Sequence, residues 1–512
     1  MLSKVYCAAL VGIDATLVTV EVNLTKGCLF TMVGLPDSTV RESHERILSA
    51  LEAVGYKMPI RKTLINLAPA DLRKEGASYD LPIAVAMLTA EGVVPTESVK
   101  HVMVCGELSL DGSILPVRGA LPVAILARQE GFDTFIVPEE NVREAAVVDK
   151  VKVYGASNLL DVIKHLKGEE LLTQTVIDTR AEFFSKQDLY DIDFSDVKGQ
   201  EHVKRALEVA ASGGHNILLV GSPGSGKSMM SKRLPTILPP LSLSESLETT
   251  KIHSVAGKLG KGTSLITQRP FRAPHHTISQ AALAGGGAYP QAGELSLASN
   301  GILFLDELPE FPRQVLEILR QPLEDRKISI SRAKWSVEYP ANFTLVAAMN
   351  PCPCGYYNDP TRECVCTPGQ VQRYLSKISG PLLDRIDIQV EIVPVPFEKL
   401  ADNRRGECSQ FIRERVIKAR DRQQKRYADY PNVHCNAQMT PKLMEKYARL
   451  DASCLKILRQ AMERLNLSAR AYDRILKVAR TIADIADKDQ IEVSHIAEAI
   501  GYRNLDRDHW GN

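Results

Sequence analysis

The chain has 512 residues with 63 Lys and Arg against 62 Asp and Glu, a net charge of +1, and 44% hydrophobic and 24% charged residues. That is a globular composition with room for about three domains, and its near-neutral field excludes charge-driven capture of polyanions except at local basic patches. The stretch Met1–Cys7 lacks the pattern of a secretory leader and no run of 18 apolar residues occurs, so a cytoplasmic chain without a membrane span is expected. Ten cysteines in such a chain predict thiols and perhaps a metal site rather than a disulfide framework. Six of them (Cys7, Cys28, Cys105, Cys408, Cys435 and Cys454) are scattered and expected to be inert.

Residues 1–165 predict an α/β domain. Ala15–Asn23 and Leu29–Val33 alternate as strands, while Ser38–Val54 and Tyr79–Ala90 have helical periodicity. Within this region Arg73–Met87 and Gly106–Gly119 resemble the proteolytic domain of Lon proteases, a fold of the S5 domain 2-like type. Ser78 stands at the place of the nucleophile, but Leu121 stands where the resemblance implies a Lys. A serine without an amine partner has no route to an activated oxygen. The expectation is a Lon-like fold without peptidase activity, serving assembly or nucleic-acid binding, with Ser78 a turn hydroxyl.

Residues 166–195 are polar and aperiodic and read as a linker. The next region, 196–395, opens with a helix carrying Val203, Leu207 and Ala210 on one face. Asn216–Val220 is then a short apolar strand that breaks into Gly221-Ser222-Pro223-Gly224-Ser225-Gly226-Lys227-Ser228. This is G-x-x-x-x-G-K-[ST] in the strand–loop–helix context the motif requires. Glycines let backbone N–H groups curl round a phosphate, and the following helix N-terminus adds partial positive charge. Lys227 is expected on the β/γ-phosphates of ATP and Ser228 on Mg²⁺. About 80 residues on, Gly301–Glu307 is a strand ending in Asp306 and Glu307. Asp306 is assigned to Mg²⁺, and Glu307 to polarising the attacking water.

Arg269–Ser279, Gly285–Gly287, Ala292–Ala298 and Leu305–Phe311 resemble the magnesium-chelatase-like branch of AAA+ ATPases. With the Lon-like region in front, the whole order is similar to the ComM/YifB family. The resemblance implies a hexameric ATPase whose ComM members drive branch migration of DNA during natural transformation. It also implies that Asn350 is the sensor-1 residue, Arg385 the arginine finger reaching the neighbouring subunit's γ-phosphate, and Arg470 sensor 2, with Arg474 as the fallback. The hairpin Lys327–Tyr339 corresponds to one that projects into the central pore. There Arg332 and Lys334 would hold phosphates and Trp335 would stack a base; the competing reading packs Trp335 against its own core. Gly285–Pro290 is a second, weaker candidate for a pore insertion, and His275 and His276, lacking ligand-like partners, are expected to be structural.

Cys352-x-Cys354 and Cys364-x-Cys366 lie nine residues apart and can bring four thiolates to a structural Zn²⁺ with no position left open for catalysis. Four reduced thiols in a loop are the alternative. Residues 396–512 read as a helical lid, including Gln410–Arg426 with seven basic residues, which either contacts DNA or a neighbouring subunit or is a solvated face. The leading expectation is a DNA motor. Its rival is a chelatase- or chaperone-type ATPase that remodels a protein partner.

Overall fold

Strand alternation near the N-terminus does what a period of two dictates. In the computed structural model, which describes residues 2–57, 61–185, 190–287, 290–332, 335–359, 362–395, 406–465 and 467–503, β1 (Leu2–Val11) and β2 (Asp14–Thr25) form an antiparallel hairpin. Val18, Val20 and Val22 are buried on its core face while their neighbours keep contact with water. The chain divides into two compact units. Met1–Gln187 and Ser242–Thr267 form the first, and Asp188–Leu241 and Gln268–Asn512 the second.

In the first unit β3 (Phe30–Val33), β4 (Lys62–Ala68), β5 (Val102–Val104), β6 (Thr134–Pro138), β7 (Lys152–Ala156) and β8 (Gln174–Thr175) join the hairpin. The sheet has eight strands in the order β8-β7-β6-β5-β1-β2-β4-β3. Helix α1 (Ser38–Ala53) starts at Asp37, whose carboxylate accepts the Val40 N–H at 2.8 Å. Helix α2 (Asp80–Glu91) is buried from Asp80 to Ala90, so the carboxylate in its first turn needs partners. Arg46 supplies two, Nε at 2.9 Å and Nη2 at 3.0 Å, and the Leu108 N–H a third at 3.4 Å. The Lon-like segments meet here: Gly106 N–H donates to the Ser78 carbonyl at 3.1 Å, and Leu81 N–H to the Gly106 carbonyl at 3.1 Å. Leu121 is fully buried in the first turn of α3 (Ala120–Gln129). The stretch read as a linker contains β8 and a helix, Thr179–Ser185, anchored by buried Phe183.

The returning segment Ser242–Thr267 begins with a capping box, Ser242 with Glu245, and the helix Leu243–Val255. Its Ser254 carbonyl accepts the Gly119 N–H at 3.2 Å, Lys251 pairs with Asp14, and Lys261 with Glu140 at 3.0 Å.

The second unit holds a five-stranded parallel sheet of β9 (Ile217–Gly221), β10 (Phe271–Arg272), β11 (Ile302–Leu305), β14 (Thr344–Met349) and β15 (Ile388–Ile392), in the order β10-β11-β14-β9-β15. The two strands numbered between, β12 (Lys327–Arg332) and β13 (Trp335–Pro340), form a separate hairpin. Strands β9 and β11 are buried along their whole length, as continuous apolar runs covered on both faces must be. Around them lie α4 (Glu201–Gly213), α5 (Lys227–Arg233), α6 (Arg320–Asp325), α7 (Gly380–Leu383), α8 (Ser409–Arg426) and α9 (Ala469–Ile485). Ile412 and Val416 of α8 and Ile475, Val478 and Ile482 of α9 share one hydrophobic cluster with Val203, Leu207, Ile217 and Leu219. The C-terminal helices are therefore part of this unit's core.

The basic run on α8 meets partners within its own unit: Arg415 pairs with Glu208 and Glu407, Arg422 with Asp487 and Asp489, and Arg426 with Asp484. No described helix is long and apolar enough to cross a membrane.

Arg46→Met strips the buried Asp80 carboxylate of its main counter-charge. Arg46 keeps 24% of its side chain in water, so the expected loss lies near the low end for a broken buried pair, about 3 kcal/mol. A lower denaturant midpoint for the first unit checks it.

Candidate nucleotide site

Phosphate-loop geometry begins where β9 ends. Gly224 and Gly226 adopt φ of +78° and +94°, which lets the loop turn back over the N-terminus of α5. A Cβ on Gly221 would stand 2.4 Å from the Ile392 carbonyl, so only glycine fits beside β15. Lys227 Nζ folds into the loop and donates to the carbonyls of Gly221 at 2.7 Å and Ser222 at 2.9 Å, and to Asn350 Oδ1 at 3.1 Å. Burial pushes its pKa down, opposed by Asp306 and Glu307. The hydroxyls of Ser222 and Ser225 are buried without a hydrogen-bond partner among the described residues, an arrangement that suits an oxyanion acceptor.

The acidic strand end arrives beside this loop because β11 and β9 flank β14. Ser228 Oγ donates to Asp306 Oδ2 at 2.6 Å, so the expected Mg²⁺ ligands are adjacent. Asp306 Oδ1 accepts the Glu307 N–H at 3.0 Å. Glu307 has φ 52° and ψ 47°, a left-handed conformation that costs a non-glycine residue on the order of 1–2 kcal/mol. A strained residue beside a phosphate loop is a candidate for function. Its carboxylate is 57% exposed, and Oε2 lies 3.3 Å from His276 Nδ1. His276 is held in turn by His275, ring centroids 4.0 Å apart, and by the edge-on ring of Phe311 at 6.3 Å. Sequence reasoning set His276 aside. Its only signal was the position four residues beyond β10.

Of the other expected site residues, Asn350 joins the cluster, and Arg385 and Arg470 do not touch it among the described contacts. Arg385 lies in the turn between α7 and β15, and Arg470, on α9, reaches that turn. Arg470 Nη1 pairs with Asp384 Oδ2 at 3.0 Å, and Arg385 with Glu324 Oε1 at 2.6 Å. Arg474 faces Asp387 Oδ1 at 3.0 Å as an ion pair without hydrogen-bond alignment.

Cys352, Cys354, Cys364 and Cys366 bring their sulfurs within 4.8 Å of one another. Separations of 3.3, 3.7 and 3.5 Å join the first three. Four sulfurs at 2.3 Å from a tetrahedral Zn²⁺ stand about 3.8 Å apart, so the cluster has the size and donor set of a closed structural site. It abuts the phosphate loop: a Cβ on Gly355 would lie 2.5 Å from Pro223 Cδ and 3.8 Å from Asn350 Cγ.

The hairpin β12–β13 runs from Lys327↔Pro340 to Arg332↔Trp335. Arg332 and Trp335 hold its last paired register position, and Lys334 lies outside the described residues. The Gly285 segment packs on this hairpin: a Cβ at Gly285 would stand 2.8 Å from Ile330 Cδ1, and Tyr339 Oη donates to the Pro290 carbonyl at 2.8 Å.

A phosphate loop after a buried parallel strand, with Ser228 meeting the Asp306–Glu307 strand end from one strand over, defines a P-loop nucleotide-binding fold consistent with an AAA+ core. Residues 193–400 match the magnesium chelatase subunit ChlI family, residues 20–141 the subunit ChlI of Mg-chelatase family, and residues 406–503 the ChlI C-terminal family. The chain is 44% identical over 512 residues to the competence protein ComM of Haemophilus influenzae, covering 99% of this chain and 98% of that protein. It is 44% identical over 510 residues to YifB of Salmonella typhimurium, again covering 99% and 98%. A shorter likeness, 28% over 163 residues, reaches the Lon protease of Aster yellows witches'-broom phytoplasma, covering 29% of this chain and 20% of that protein. The chain belongs to the ComM/YifB family of magnesium-chelatase-like proteins.

Gly355, at φ +87°, admits no side chain without pressing on Pro223. Gly355→Ala is expected to weaken nucleotide binding between about 5- and 100-fold, the equivalent of roughly 1–3 kcal/mol of strain. Titration with a fluorescent ATP analogue checks it.

Proposed function

We propose that this chain is a Mg²⁺-dependent ATPase that assembles as a hexamer and moves on DNA, acting on branched or single-stranded forms. The observation that carries the ATPase reading is the cluster of Lys227, Ser228, Asp306, Glu307 and Asn350 around one loop. The loop amides and Lys227 bind the β/γ-phosphates, which take over Lys227 from the carbonyls it now contacts. Ser228 and Asp306 hold Mg²⁺, which when bound neutralises charge on the phosphate oxygens. Glu307 accepts a proton from the attacking water, His276 orients its carboxylate, and Asn350 Oδ1 fixes the water's other side. Arg385 comes from the neighbouring copy to meet charge developing on the γ-phosphate, which makes hydrolysis depend on assembly. Arg470 acts as sensor 2 on the helical lid, and the Lon-like domain has no peptidase role.

Similarity to a protein named for competence supports the DNA part, as does the basic, aromatic stretch Arg332-Ala333-Lys334-Trp335 in the sequence joining the hairpin's two strands. The matches to magnesium chelatase subunits favour the second reading, an ATPase that remodels a protein partner. ATP turnover with no DNA, single strands, duplex and a four-way junction separates the two. Stimulation by DNA that fades with salt is expected, and a rate indifferent to every DNA favours the protein partner.

Glu307→Gln is expected to lower kcat by roughly 10²- to 10⁴-fold with nucleotide binding retained. His276→Ala should lower it less, with little change in KM. An unmodified rate in Glu307→Gln would overturn the assignment of the base.

We further assign the cysteine cluster to one structural Zn²⁺ that pins the turn beside Pro223 and Asn350. Stoichiometric zinc in the purified protein is expected, lost together with ATP turnover when Cys354 and Cys364 are both replaced by Ser. Metal analysis that finds none removes the assignment.

A further inference from the structure

We propose that Glu324 is a latch on Arg385, holding that arginine in its own subunit until a ligand on the β12–β13 hairpin releases it. The inference rests on the reading of Arg385 as the arginine given to a neighbouring copy, and it adds what controls the gift.

The backbone around Arg385 is fixed on every side. Asp384 N–H donates to the Gly380 carbonyl at 2.8 Å, and Asn216 Nδ2 to the Arg385 carbonyl at 3.0 Å. Arg503 Nη1 donates to the Ile386 carbonyl, and Asp387 N–H to the Asn216 carbonyl at 3.0 Å. The turn cannot travel toward a neighbour, so the side chain must move by changing rotamer.

That side chain is folded inward. Arg385 is 8% exposed, with Nη1 on the Pro381 carbonyl at 2.6 Å and Nη2 on Glu324 Oε1 at 2.6 Å. Nε is buried with no acceptor among the described residues. A guanidinium with one donor left dry is held in a resting arrangement that a phosphate, offering several oxygens, can improve upon. Among the described residues the ionic restraint on it is Glu324, whose own side chain is 53% exposed and can swing away.

Glu324 is placed to report on the hairpin. It lies in the last turn of α6, and β12 begins at Lys327, three residues on. Arg326, between them, joins the base of the hairpin to the sheet: its carbonyl accepts the Ala341 N–H at 2.9 Å, just after β13, and its Nη1 donates to the Phe343 carbonyl at 2.8 Å, just before β14. With only Asp325 and Arg326 between Glu324 and β12, a polyanion that pulls on the hairpin strains the last turn of α6, and the Glu324–Arg385 pair breaks at its exposed partner.

The test is ATP turnover of wild type, Glu324→Gln, Glu324→Asp, Arg385→Ala and the Glu324→Gln/Arg385→Ala double variant, each with and without an oligo-dT strand. Glu324→Gln, which keeps the shape and removes the charge, is expected to raise the DNA-free rate about two- to fivefold, the range a partly exposed ion pair can supply, and to shrink the stimulation by the same factor. Glu324→Asp should keep the DNA dependence of wild type, while Arg385→Ala and the double variant stay at the floor in both conditions. A Glu324→Gln rate unchanged in both conditions, or lowered in both, overturns the latch and leaves the finger reading intact. Wild-type turnover in Arg385→Ala overturns the finger reading, and the latch with it. A wild type indifferent to the oligonucleotide overturns the link to the hairpin.

Discussion

The buried carboxylate of Asp387 joins the strand that leads into the phosphate loop, the turn that carries Arg385, and the helix that carries Arg470. Its Oδ2 accepts from His215 Nδ1 at 3.1 Å and from the Asn216 N–H at 3.3 Å, while Arg474 faces Oδ1. Burial pushes its pKa up, but Arg474 and His215 outweigh it and hold the carboxyl well below the usual carboxylate range. Burial pushes His215 down more than Asp387 draws it up. The consistent assignment is a charged Asp387 and a neutral His215 whose Nδ1 carries the proton and whose Nε2 accepts from Thr481 Oγ1 at 2.7 Å. Asn436 Nδ2 reaches both Thr481 Oγ1 at 3.0 Å and Asp484 Oδ2 at 2.8 Å, and Arg426 and Arg480 close the network on Asp484. Breaking one member would leave a charge in the core at about 3–5 kcal/mol. Sheet, turn and C-terminal helices are thus compelled to keep one geometry.

That rigidity decides which parts of the site can respond. Lys227 is satisfied by loop carbonyls and Asn350, so a phosphate has only to exchange acceptors for it. The loop is braced from two sides: by Ile392 of β15 against Gly221, and by the cysteine-bearing turn, through Gly355, against Pro223. A metal in that turn would act at a distance of one residue contact from the loop, by stiffness and without touching the substrate. Two ion pairs near this frame each carry an exposed carboxylate: Glu307 with His276, and Glu324 with Arg385.

Local chemistry was legible in the sequence wherever spacing along the chain equals spacing in space. The glycines of 221–226, Lys227 and Ser228 act within one turn, and Asp306 and Glu307 end one strand. The helices Ser38–Ala53 and Asp80–Glu91 begin and end within a residue of where periodicity put them. His276 was not legible, because its meeting with Glu307 depends on β10 lying beside β11, a fact of topology. The seven basic residues of α8 looked like a surface for DNA or solvent because their acids, Glu208, Asp484, Asp487 and Asp489, come from elements distant in sequence. Nor could the partners of Arg385 and Arg470 be read, since each is an ion pair between remote segments.

Least legible of all was the membership of Ser242–Thr267. Its helix buries Ser246, Thr249, Thr250 and Ser254 alongside a single large aliphatic side chain, Ile252, so it shows no apolar stripe for periodicity to find. Polar groups satisfy it instead, with Ser246 Oγ on the Ile266 carbonyl at 2.6 Å and Ile266 N–H on Thr250 Oγ1 at 3.0 Å. The consequence lies in connectivity. The chain leaves the second unit at Leu241, eight residues after α5, and returns at Gln268, three residues before β10. Those are the helix that carries Lys227 and the strand that leads to His276. A segment belonging to the first unit is therefore covalently strung between the helix that begins at Lys227 and the strand that precedes His276.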